Sequence, residues 1–153
     1  IFATPFTISK ELHRKEILKL DPEAKVTMVA CPDFVPMIEG EKFDSLKLRV
    51  TIGKYCQELR KNNCDTLLLA CTHYPFIRKE IEREMQGALT VVDPAEQTAM
   101  DVIEALGKDL LKDTGEGKSI ICGTSNVSKI RRLAEKMLDL KKCEFMEIKL
   151  VDL

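Results

Sequence analysis

The sequence predicts an α/β fold: a mainly parallel sheet with helices on both faces, built from alternating strand-helix units. Three observations carry this. Short apolar runs recur along the chain. Stretches with helical periodicity lie between them. Most runs are apolar without alternation, as suits strands buried on both faces.

The strand candidates are residues 1–4, 25–30, 66–70, 88–92, 119–122 and 144–151. After the first, Thr7 or Ser9 is a candidate N-cap for a helix, and His13 falls among charges on an exposed helix with no assigned role. Leu48, Ile52, Tyr55, Cys56 and Leu59 fall on one helix face before the third strand. Ile77, Ile81 and Met85 mark a shorter helix, and Ala99, Val102, Ile103, Leu106 and Leu110 another. KDTGEGK, residues 112–118, reads as a linker. Ile130, Leu133, Ala134, Met137 and Leu138 give the last helix, with Ser125 or Asn126 as its cap.

Composition narrows the class. The 153 residues carry 44% hydrophobic and 32% charged residues with a net charge of −1. No cluster of Lys and Arg suggests nucleic acid, and no apolar run nears the roughly 20 residues of a membrane span. Six scattered cysteines without a CxxC pair read as free thiols in a reducing cytoplasm. The first residue is Ile, and a piece of a longer protein is expected.

In a parallel sheet, sites form outside the carboxyl ends of the strands. ATPFT, ACPDFVPMIEG, ACTHYPF and DPAEQT follow the first four strands. In the third of these, Cys71 is the candidate nucleophile or base, with Thr72 as a hydroxyl donor and His73 two positions on. A thiolate forms readily near a cation or a helix N-terminus. The plain alternative is a small buried hydrophobe at a strand end. Cys31 also follows a strand and an alanine, but Pro32 behind it offers no N–H, and Cys31 reads as structural. Glu39 closes an apolar loop, where it tunes a histidine, meets an ammonium group or is simply solvated; spacing alone favours the last. Thr4 and Thr7 flank Pro5 in a helix-capping region. Metal binding by Cys71, His73 and Cys31 is disfavoured, because stable zinc sites need three or four protein ligands.

DTLLLACTHYPF resembles the second catalytic-cysteine motif of the glutamate racemases, in the aspartate/glutamate racemase superfamily. VACPDFVPMIEG, ATPFT and VVDPAEQTA are similar to other segments of that family, in family order. The resemblance implies interconversion of L- and D-glutamate without a cofactor, supplying D-glutamate for peptidoglycan. It implies that Cys71 is one of two catalytic thiols, that His73 assists it and that Thr72 binds the substrate carboxylate. Thr4 and Thr7 would approach the amino-acid head group, and Glu39 would be a supporting acidic residue. Two thiols suit this chemistry, since a base on one face of the α-carbon and an acid on the other can exchange roles.

The match covers only a C-terminal half. Residues 1–97 correspond to the second domain, and residues 98–153 would return to the first. No Cys-Asn-Thr stretch supplies the other thiol, and Ala70 stands where glycine is usual. The missing N-terminal half is therefore an expected partner, and the chain alone is expected to be inactive; residues 119–153 either join the main sheet or leave an apolar face and a strand edge exposed, and self-association through that surface is expected. A racemase of another amino acid, and a binding module that retained the fold, are the alternative readings.

Overall fold

A computed structural model describes residues 1–43, 45–107, 118–136, 140 and 143–149. The chain divides into two compact units, Ile1–Ala105 and Leu106–Leu153.

The first unit is built on four short parallel strands, β1 (Phe2–Ala3), β2 (Val29–Ala30), β3 (Thr66–Ala70) and β4 (Thr90–Val92), in the order β2-β1-β3-β4. The helices around them are α1 (Pro5–Lys10), α2 (Leu12–Leu20), α3 (Phe34–Glu39), α4 (Leu46–Lys61), α5 (Arg78–Met85) and α6 (Pro94–Leu106), the last ending one residue beyond the unit. A 3-10 turn, Tyr74–Ile77, leads into α5. The parallel α/β architecture is the one the alternation of runs predicts.

The second strand is shorter than its apolar run because its partner β1 offers only two residues for pairing: Phe2 with Val29 and Ala3 with Ala30. In α4 the expected face is the buried one, Leu48, Ile52, Tyr55, Cys56 and Leu59. Ser45 caps that helix, its Oγ accepting from the Leu48 N–H at 3.1 Å. In β3, Leu67 and Leu69 are sealed while Leu68 and Ala70 are half-buried. The expectation of strands buried on both faces therefore holds for one face of this strand only.

An aromatic cluster sits beneath the strand ends. Phe34 meets Phe2, Tyr55 and Tyr74 at centroid distances of 6.0, 5.0 and 5.2 Å. The last two are edge-on, the arrangement ring quadrupoles favour. Arg60 on α4 bonds Glu84 on α5 at 2.9 Å, tying two helices that pack side by side.

Thr4, and not Thr7 or Ser9, is the cap of α1. Its Oγ1 accepts from the Thr7 N–H at 3.3 Å. The cause is Pro5, whose fixed φ suits the first helical position and whose missing N–H costs nothing there. Ser9 instead donates to the Phe6 carbonyl at 2.7 Å. Residues 34–39, expected as a loop, form the helix α3. Pro36 is tolerated because it lies in the first turn, where N–H groups have no intrahelical acceptor.

The second unit contains β5 (Ser119–Gly123) and β6 (Cys143–Glu147), parallel and in register, joined through α7 (Val127–Ala134). Asn126 precedes α7 without a side-chain capping bond. Gly123 lets α7 approach β5, since a Cβ there would lie 2.4 Å from the Ile130 Cδ1. Arg131 lies over the Phe145 ring, 4.6 Å from its centroid. Residues 112–117 of the expected linker, Leu110, Met137, Leu138 and the end of the last strand run lie outside the described residues.

Candidate active site

The strand register aligns the candidate residues. Ala3 pairs with both Ala30 and Ala70, so β2, β1 and β3 finish level on three alanines. The next residues are Cys31, Thr4 and Cys71. From β1 the chain passes to β2 on one side and then to β3 on the other. The gap between the carboxyl ends of β1 and β3 is thus the topological switch point, where open parallel sheets bind ligands. Thr4 and Cys71 stand on its two sides.

The two cysteines differ in surroundings. Cys31 is fully buried, its Sγ facing the Val29 carbonyl at 3.5 Å. Burial pushes its thiol far above the ordinary range, with neighbouring Cys56 adding to the effect, so it stays neutral and packs as a small hydrophobe. Cys71 is only half-buried. The Tyr74 N–H closes a turn on the Cys71 carbonyl at 3.0 Å, and the Phe76 N–H another on His73 at 3.1 Å. These turns halt β3 and throw Thr72 outward, where it is exposed.

His73 turns toward α3. Its Nε2 lies 3.3 Å from Glu39 Oε1, each side chain about one-third exposed, at 32% and 34%. Helical winding brings Glu39 to the histidine, which the solvated-loop reading did not foresee. Thr4 and Thr7 face each other, their hydroxyl oxygens 3.0 Å apart.

Cys71 and Thr72 line a cavity of about 690 Å³. Its other walls come from the end of β3, from His13 of α2, from Asp93 and from α6, including Thr98 and Val102. His73, Glu39, Thr4 and Thr7 are not among its lining residues. His13, given no role by the sequence, is half-buried, and its Nδ1 is buried without a hydrogen-bond partner. Charge patterning placed it on an exposed face and carried no signal of this wall. Arg78 fixes the entry to α6, bonding the Val91 carbonyl at 3.4 Å and approaching Glu96 at 3.7 Å. Among the described residues, no group of three His, Cys, Asp or Glu side chains is placed to hold a metal ion. None of the described helices is long and apolar enough to cross a membrane.

The fold and its strand-end residues define a parallel α/β protein with a candidate cysteine-bearing site beside the switch point of its sheet. Comparison with known proteins gives the particular kinship: the chain is a relative of the glutamate racemases and corresponds to about half of them. It is 37% identical over 106 residues to the glutamate racemase of Lactiplantibacillus plantarum, covering 69% of this chain and 39% of that protein. It is 35% identical over 142 residues to that of a Thermoanaerobacter species, covering 92% and 54%. The crystal structure of glutamate racemase isoform RacE1 from Bacillus anthracis superimposes with a TM-score of 0.84 at 29% identity, covering 97% of this chain and 56% of that one. The Francisella tularensis glutamate racemase, solved in complex with D-glutamate, gives 0.83 at 27% identity, covering 96% and 55%. No protein-family model matches the chain. The chain spans about half the length of the relatives aligned over most of it.

Proposed function

We propose that this chain is the C-terminal half of a glutamate racemase that interconverts L- and D-glutamate without a cofactor, supplying D-glutamate for peptidoglycan in the cytoplasm. The observation that supports this best is Cys71 at the switch point, in a chain similar to glutamate racemases over nearly its whole length.

In this reading, residues 1–97 form the second domain and residues 98–153 return to the first. The missing N-terminal half supplies the second thiol and covers the cavity beside Cys71. The Cys71 thiolate takes the α-proton: the Cα–H bond breaks, an S–H bond forms, and the electron pair delocalises into the substrate carboxylate. The thiol of the other half then gives its proton to the opposite face, and the roles reverse in the other direction. Thr72, the most exposed of the three motif residues, donates its hydroxyl to the substrate carboxylate. His73, braced by Glu39, assists Cys71 as a proton-handling neighbour. Thr4 and Thr7 approach the head group from the opposite side of the switch point.

The chain alone then exchanges a proton on one face at most and does not racemise. The experiment is a circular-dichroism assay of L-glutamate with the chain alone and with the longer protein that includes the other half. Turnover by the longer protein only is the expected result. Turnover by these 153 residues alone refutes the split-site reading.

A further inference from the structure

The helix α3 is held at both ends by consecutive residues of one turn. At its start, the Tyr74 ring lies edge-on to Phe34, 5.2 Å between centroids and at 89°. The Tyr74 hydroxyl donates to the Cys31 carbonyl at 3.1 Å, the same carbonyl that accepts the Phe34 N–H at 3.4 Å. At its end, Glu39 meets His73 at 3.3 Å. Tyr74 is wholly buried, and burial raises its phenol above the ordinary range.

We propose that Tyr74 is a positioning residue: by anchoring Cys31 and Phe34, its hydroxyl and ring set α3 at the angle that brings Glu39 onto His73. A six-residue helix spans only about 9 Å and acts as a short rigid rod. A shift at its start is therefore carried to its end. His73 and Tyr74 are adjacent, with Cα atoms about 3.8 Å apart, so both contacts start from one short stretch of backbone. The catalytic consequence rests on the racemase reading; the positioning itself does not.

The test uses the isotope-labelled chain, with its two histidines distinguished by His13→Gln. Cross-relaxation between the His73 ring protons and the Glu39 methylene protons is measured in the native chain, in Tyr74→Phe and in a stability control, Leu59→Val. The contact is expected in the native chain and the control and is lost in Tyr74→Phe. Its absence from the native chain, or its persistence in folded Tyr74→Phe, overturns the proposal. If Tyr74→Phe does not fold, Phe34→Leu loosens the same anchor from the α3 side, and an undiminished contact there overturns it equally. In the longer racemase, Tyr74→Phe is expected to lower kcat roughly tenfold to a hundredfold with KM within about twofold. A lost contact with unchanged turnover overturns the link to catalysis. Absence of turnover in the native longer protein counts against the racemase reading instead, and leaves the cross-relaxation result to decide the positioning.

Discussion

Glu39 Oε1 lies 3.3 Å from His73 Nε2, joining the last turn of α3 to the turn that ends β3. The pair is one-third exposed, so its direct worth to stability is about 0–1 kcal/mol. Its orientation of the imidazole matters more, because the bond made by one ring nitrogen decides what the other presents. Glu39→Gln is expected to shift the melting temperature little. On the racemase reading it should reduce kcat of the longer protein by about tenfold or more, as loss of an orienting group does. Parallel melting and turnover measurements check this; a large melting shift with full activity would make the pair structural.

The two strand-end cysteines should separate cleanly. On the racemase reading, Cys71→Ser in the longer protein is expected to abolish racemisation, since a serine hydroxyl ionises far less readily than a thiol. Cys31→Ser should retain most turnover while costing about 1–3 kcal/mol of stability at its sealed site. In the chain alone, iodoacetamide should modify Cys71 well before Cys31, read by peptide mass spectrometry. The reverse order would contradict the burial difference.

Alkaline pH should destabilise the fold. Burial, aided by the Glu84 charge, pushes the Cys56 thiol from 9.0 up to about 11. The folded state therefore holds a proton that the unfolded chain releases between those values, and stability falls as pH rises. Cys31, Tyr55 and Tyr74 shift upward too, all chiefly by burial, which extends the loss to higher pH. Urea unfolding should show this contribution intact below pH 9 and fading as pH climbs toward 11. Cys56→Ala should flatten part of that slope.

Thr4→Ala should cost about 1 kcal/mol through loss of the α1 cap, and Thr4→Ser should restore most of it. Denaturant midpoints of the three proteins measure this directly. Equal midpoints would show that Thr4 does not cap the helix in solution.

Self-association is the expected state of the chain alone. In α6, Met100, Val102 and Ile103 are 50% exposed or more, and in the second unit Ile120, Met146 and Ile148 are also exposed. Apolar surface of this kind drives association. Light scattering should report a dimer or larger species, and a clean monomer at high concentration would count against it.

The sequence made legible the elements with a helical period or an apolar run, long and short, but not the six-residue α3. Leu48 through Leu59 span enough turns for a helical period to register, and that face is the buried one. Six-residue α3 covers fewer than two turns and, with Pro36 inside it, reads as a loop, while α1 reads as a helix whose start at Pro5 is hidden. That is why Glu39 read as solvated and Thr4 was passed over as the cap. Cys71, Thr72 and His73 were legible because chemically active side chains follow an apolar strand. His13 was not: its wall is made with residues about eighty positions later, a contact no local pattern encodes.

The double anchoring of α3 also bears on which changes of chain length the fold can absorb. Contacts to both ends of the helix come from residues 73 and 74, so inserting even one residue between them would move one anchor off its partner. After α3 the chain comes to the surface. Gly40, Glu41 and Lys42 are exposed, and Glu41 already adopts a left-handed turn. Lineages diverging from this sequence should therefore gain and lose residues at that turn while the Cys71–Tyr74 segment keeps its length, even where its composition drifts.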